Sequence, residues 1–133
     1  MKERKVIVSP DAPKPIGPYS QAIEAGDFIF CSGQIPLDPL TGQLIQGDIS
    51  DQARRILDNF EAVLRAAGAD LKNTVKLTVY LTDLGDFEVL NKVLAETFTQ
   101  DPPARAVVQV AALPKKASIE MDLIALKSPG QKG

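Results

Sequence analysis

Apolar residues recur at three- and four-residue steps over one long stretch of the chain. Ile49, Ala53, Ile56, Leu57, Phe60, Val63, Leu64 and Ala67 form a single stripe. That period predicts an amphipathic helix, with Arg54, Arg55, Asp58, Glu61 and Arg65 on its solvated side. Asp48 or Ser50 can cap its start, and Gly68 can end it. A second stripe, Phe87, Leu90, Leu94 and Phe98, predicts another helix, capped by Asp83 or Asp86. Elsewhere the period falls to two. Val75, Leu77, Val79 and Leu81 alternate with Lys76, Thr78, Tyr80 and Thr82, as in a strand with one buried face. Residues 5–9, 19–25 and 28–34 read as three further strands, the last two joined by a tight turn at Gly26-Asp27. Residues 10–18 are a proline-rich connector, and 36–47 a loop with turn chemistry at Asp38-Pro39 and Thr41-Gly42. The last two strands are 105–112 and 118–126, and the short Leu113-Pro114-Lys115-Lys116 link folds them together as a hairpin.

The order β-β-β-α-β-α-β-β places two helices over one face of one sheet, an α+β layer arrangement. The other sheet face is then unusual. On the last strand it carries Glu120 and Asp122, then Ile124 and Leu126, and on the preceding strand both faces are largely apolar. A face that merely met water would not need those residues. Burial against further copies of the chain, in a symmetric homo-oligomer, is the economical expectation.

At 133 residues the chain is expected to be a single domain, 1–133, with a disordered Gly-, Pro- and Lys-rich tail over 128–133. A formal charge of -2 gives no footprint for nucleic acid, and the basic residues Lys2, Arg4 and Lys5 alternate with Glu3 as a solvated terminus. No apolar run approaches the ~20 residues of a membrane span, and no signal-peptide core precedes the first strand, so a cytoplasmic location without membrane contact is expected. The chain has no histidine, which leaves carboxylate, Lys, Tyr, backbone or water for any proton transfer. Its one cysteine, Cys31, excludes internal disulfides and thiolate zinc sites and reads as a small core residue within Phe28-Ile29-Phe30-Cys31. No glycine-rich phosphate loop is present.

Two charged residues stand out against this background. Arg105 opens an apolar run after Pro102-Pro103-Ala104, and Glu120 sits inside the next one. A guanidinium is costly to bury alone and its planar fork suits a small carboxylate. In the hairpin the two would share one neighbourhood, a pocket for a small anionic molecule. The plainer alternative makes Arg105 a strand-edge residue paired with an acidic side chain and Glu120 an exposed strand residue. Gly17-Pro18-Tyr19-Ser20-Gln21 and Ser32-Gly33-Gln34 place hydroxyl groups beside turn-forming glycines, and Asn91 is a polar residue near the apolar stripe of the second helix.

Five blocks, in order, extend the picture: Gly17-Pro18-Tyr19-Ser20-Gln21-Ala22, Ser32-Gly33-Gln34-Ile35-Pro36, Asp86-Phe87 with Leu90-Asn91, Pro103-Ala104-Arg105, and Leu113-Pro114 with Ile119-Glu120. Together they resemble the RidA/YjgF family of reactive intermediate deaminases, over roughly residues 6–126. The resemblance implies a chorismate-mutase-like fold, with one mixed sheet, two helices on one face and a homotrimer built on a barrel-like core. It implies active sites in the clefts between subunits. The implied activity is hydrolysis of 2-aminoacrylate-type enamines and their imine tautomers, 2-iminopropanoate and 2-iminobutanoate, to 2-keto acids and ammonia. By the resemblance Arg105 holds the substrate carboxylate and Glu120 orients or activates water and assists proton transfer. Tyr19 walls the pocket, Ser32 and Gly33 line it, and Asn91 belongs to the family's helix pattern. No cofactor or metal is implied, since an imine needs only an anchored carboxylate and a positioned water. Val107 departs from the cysteine common at that position, a residue expected to act through its backbone. The loop over 99–103 also looks shorter than in many members. Two other readings remain at this point: a non-catalytic trimer that binds small carboxylates as a regulator or chaperone-like protein, and a ribonuclease, which the net charge disfavours.

Overall fold

The protein is described by a computed structural model covering residues 3–127. The expectations for Lys2 and for the tail over 128–133 fall wholly or largely on residues outside that span.

Helix α1 (Ile49–Ala66) forms where the long stripe placed it, and of the two possible caps Asp48 takes the role. Its side chain accepts from Asp51 N (3.0 Å) while Asp51 returns the bond to Asp48 N (3.3 Å). At the other end Gly68 adopts φ +78°, and the amide of Ala69 closes onto Leu64 O at 2.9 Å. Helix α2 (Phe87–Thr97) divides the work of the two candidate caps. Asp83 caps a one-turn 3-10 segment, Leu84–Asp86, and Asp86 holds the N-cap position of α2 without a side-chain bond. Both helices lay their apolar stripes on one sheet face, where Phe60, Ile56, Leu90, Leu77, Met121 and Leu123 form the centre of the core.

The strands are β1 (Arg4–Ile7), β2 (Ala22–Ala25), β3 (Phe28–Gln34), β4 (Thr74–Leu81), β5 (Ala104–Gln109) and β6 (Ile119–Leu126), in the order β1-β2-β3-β6-β4-β5. β4 and β5 are parallel and the other pairs antiparallel, so the sheet is mixed. The hairpin of the last two strands does not form: β4 lies between β5 and β6. Two physical reasons account for this. The β4–α2–β5 succession is a strand-helix-strand crossover, which returns the chain to the same end of the sheet and makes β5 parallel to β4. Ile119, Met121, Leu123 and Ala125 of β6 bury one whole face, which a central position between β3 and β4 satisfies, whereas the largely exposed β5 sits at the edge. The link over 110–118 is accordingly a long connection containing the 3-10 turn Pro114–Lys116, with Lys115 and Lys116 in left-handed backbone (φ 56° and 60°).

Three strands are shorter than their patterns. β1 ends at Ile7, β5 ends at Gln109, and β2 starts only at Ala22 because Gln21 turns inward to serve the preceding loop. The sheet face away from the helices carries the expected apolar residues. Val6, Ile23, Phe30 and Ile124 are register partners in one row across four strands, with Phe28 and Leu126 paired in the next. Val6, Phe28, Phe30 and Leu126 are each 41–50% exposed on this chain.

Candidate functional site

The chain has two separate hollows that hold the residues singled out from the sequence. The first, about 330 Å³, lies between the 13–21 loop, β3, β6 and the turn at Pro114, and its lining includes Lys14, Tyr19, Ser32, Gly33 and Glu120. Its walls are fixed by polar bonds that the loop makes to itself. Gln21, buried, accepts from Ser9 N (2.7 Å) and donates to Ser9 O (3.1 Å) and Pro13 O (2.9 Å), which clamps the proline-rich connector over the sheet. Tyr19 closes a tight turn through its amide on Gly17 O (2.8 Å), and its hydroxyl accepts from Ile16 N at 3.3 Å. Ser32 donates its hydroxyl hydrogen to Ser20 O at 2.6 Å. That proton is therefore committed, and toward the cleft the Ser32 oxygen can only accept.

A shift of register between Cys31 and Gln34, where β3 pairs with β6, brings Gly33 against Glu120. The contact is close: a Cβ built on residue 33 would stand 2.5 Å from Glu120 Oε2. Gly33 is thus the residue that leaves room for the carboxylate. Glu120 is half-buried, and that burial, with the Asp122 charge on the same strand face, pushes its carboxyl above the ordinary glutamate range. A half-buried carboxylate made more basic, beside a cavity large enough for a small molecule, can accept a proton from water.

The second hollow, about 440 Å³, is lined by Arg105, Asn91, Phe98, Pro102 and Pro103 among others. Arg105 Nη1 donates to Asn91 Oδ1 at 2.7 Å, and its guanidinium carbon stands 5.4 Å from the Phe87 ring centroid. Its partner is therefore a neutral amide and an aromatic face of α2, not an acidic side chain, so the cation is oriented without being neutralised. Val107 lines neither hollow; its side chain packs against the core beside Val79, which leaves its backbone as the part available to a ligand.

Arg105 and Glu120 are not neighbours within one chain, contrary to the hairpin expectation. Arg105 is level with Leu77 and on the helix-facing side, while Glu120 is opposite Tyr80 on the other face. Two strand spacings across and three residues along put their backbones roughly 14 Å apart. The structure brings together Tyr19, Ser32, Gly33 and Glu120 in one place and Asn91 with Arg105 in another. Sequence reasoning passed over Lys14, a cation in the first hollow, and Asn59, which is fully buried in α1 and donates to Leu37 O at 3.0 Å to hold the 36–47 loop. Neither has a local signal, because both depend on where a distant loop lies. Cys31 is a core residue, with its thiol pushed up to about 12 by burial. Among the described residues no three metal-ligating side chains cluster, and no helix is long and apolar enough to cross a membrane.

A family model described as "Endoribonuclease L-PSP" matches residues 9–127. A "RutC family protein" of Pyrococcus horikoshii is 53% identical over 124 residues, covering 93% of this chain and 98% of that protein. The human "2-iminobutanoate/2-iminopropanoate deaminase" is 45% identical over 126 residues, covering 95% of this chain and 92% of the human one. Among solved structures, that of RidA from the Antarctic bacterium Psychrobacter superposes with a TM-score of 0.88 at 43% identity, covering 92% of this chain and 98% of that one.

Proposed function

Because the chain belongs to the endoribonuclease L-PSP family, which includes the RutC and RidA proteins, we propose that it is an imine deaminase. It hydrolyses 2-iminopropanoate and 2-iminobutanoate, and the enamines in equilibrium with them, to 2-keto acids and ammonia. The observation that carries this reading is the basic, half-buried Glu120 carboxylate seated on Gly33 at a small cleft. The name and 45% identity of the human relative support it.

Water adds to the imine carbon as Glu120 takes one of its protons, and the C=N electron pair moves to nitrogen. The proton then passes from Glu120 to that nitrogen. Glu120 then takes the proton of the new hydroxyl and passes it to the nitrogen, so that as the C–N bond breaks ammonia departs and the remaining oxygen becomes the keto group. Arg105 binds the substrate carboxylate with two parallel N–H···O bonds, held ready by Asn91 and Phe87. Since one chain keeps Arg105 and Glu120 apart, the complete site takes Arg105 from one subunit and the Glu120 cleft from another. The exposed apolar row of Val6, Phe30 and their neighbours supports such an assembly, as a homotrimer with three sites between subunits.

The test generates the imine in situ from serine or threonine with a pyridoxal-phosphate dehydratase and follows keto acid release. The wild type should accelerate release over the uncatalysed rate. Arg105→Ala should abolish the acceleration, and Glu120→Ala should reduce it while carboxylate binding stays measurable. No acceleration by the wild type refutes the enzyme reading and leaves a carboxylate-binding protein; a stable monomer by light scattering refutes the shared site.

A further inference from the structure

Beneath the Glu120 cleft, on the sheet face away from the helices, lies an ionisable cluster that the proposed reaction does not yet use. Glu120 and Asp122 are two residues apart on β6 and point the same way, and the register sets Tyr80 of β4 directly opposite Glu120 and Thr78 opposite Asp122. The tyrosine does not bond to the residue it faces. Its hydroxyl donates diagonally to Asp122 Oδ2 at 2.9 Å, leaving both Glu120 oxygens unclaimed by this network. The bond holds the Asp122 carboxylate at a set place one pleat from Glu120.

We propose that Tyr80 and Asp122 are a positioning pair for Glu120, in which the tyrosine fixes an aspartate charge beside the glutamate and so makes it a stronger base toward water. The proposal rests on the deaminase reading for its chemistry. The charged and titratable groups that face Glu120 are of both signs, with Lys14 opposing Asp122, and in the shared site Arg105 of the neighbouring subunit joins them. Asp122 lies on its own strand and Tyr80 on β4; Lys14 and Tyr19 come from the loop over the cleft. β3 contributes only Ser32, Gly33 and Gln34, and the turn contributes Pro114, none of them ionisable. Burial comes first among the causes that raise the Glu120 carboxyl and Asp122 second, and Tyr80 is itself raised chiefly by its bond to Asp122. A more basic carboxylate takes a proton from water more readily, which is what general-base catalysis asks of it.

The experiment compares wild type, Asp122→Asn and Tyr80→Phe by two readouts. One is the pH profile of kcat/KM in the dehydratase-coupled assay. The other is the titration of the Glu120 carboxyl followed by carbon NMR on protein labelled at glutamate. Asp122→Asn removes the like charge, so the acid limb and the Glu120 titration should both move to lower pH, and the neutral plateau should fall by ~2- to 5-fold as the base weakens. Tyr80→Phe should move both in the same direction by less. A lowered plateau with neither the limb nor the titration moved would assign the pair a merely structural role and overturn the proposal. If the wild type shows no turnover, the deaminase reading fails, and the NMR titration alone decides whether the pair tunes Glu120. Should Asp122→Asn lose its assembly by light scattering, Tyr80→Phe, nearly isosteric, carries the same two outcomes.

Discussion

Replacing Gly33 by alanine isolates the carboxylate's position from the fold. The backbone at 33 is not left-handed, so alanine is admissible there, and the entropy it removes from the unfolded chain favours folding by ~0.4–1 kcal/mol. The three atoms nearest to the added methyl all belong to Glu120: Oε2 at 2.5 Å, Cδ at 3.1 Å and Cγ at 3.5 Å. The oxygen is therefore about 1 Å short of ordinary contact. Because it terminates a flexible side chain, it swings away rather than straining the sheet, and the two effects on stability nearly cancel. Catalysis should not escape so lightly, since about 1 Å of misplacement of a reacting group costs on the order of 100-fold. Gly33→Ala should thus melt within a few degrees of the wild type while kcat/KM for the in-situ imine falls ~100-fold. Glu120→Asp in the same background should be less than additive, because the shorter acid withdraws from the methyl. Activity within twofold of the wild type would refute the argument that Gly33 exists to seat Glu120. A large drop in melting temperature with activity per folded molecule retained would refute the geometry.

Other perturbations separate stability from chemistry. Glu120 has its carboxyl raised in the folded state, so its deprotonation opposes folding and its contribution to stability is lost as pH rises through the folded value. Glu120→Gln, neutral at every pH, should therefore raise the melting temperature near neutral pH and not at acid pH, while turnover falls; equal shifts at both would contradict the linkage. Cys31, buried and with its thiol near 12, should stay unmodified by a thiol reagent at neutral pH until denaturant is added; rapid labelling of the native protein would show that the site opens. Lys116→Gly relieves a left-handed backbone at φ 60° and should stabilise by about 1 kcal/mol, read as a melting temperature raised by a few degrees; no gain would mean that the lysine side chain makes a compensating contact.

Local chemistry made the elements legible. The 3.6-residue stripe of α1, its Gly68 stop and the clean alternation of β4 depend on neighbours within a few residues and form as read, and of the two caps left open Asp48 is the one taken. The layer order and the doubly apolar sheet also followed from pattern, and the motif blocks reached most of the first cleft, from Tyr19 through Ser32 and Gly33 to Glu120. What local pattern could not weigh was competition between strands. A short link between two apolar runs reads as a hairpin, yet β6 turns Ile119, Met121, Leu123 and Ala125 to the helices whereas β5 turns Arg105, Val107 and Gln109 the same way, so the sheet takes β6 to its centre and leaves β5 at its edge beside β4. That single choice set β4 between Arg105 and Glu120 and left the residues expected in one pocket in two separate hollows. The same holds for Asn91, Asn59 and the Tyr80–Asp122 bond, whose partners lie 14 to 42 residues away. By itself, then, the sequence determined which residues form helices and strands and which are candidates for chemistry. Only the tertiary structure decided which of them meet, because strand order is settled by burial summed over the whole sheet, a quantity no local window contains.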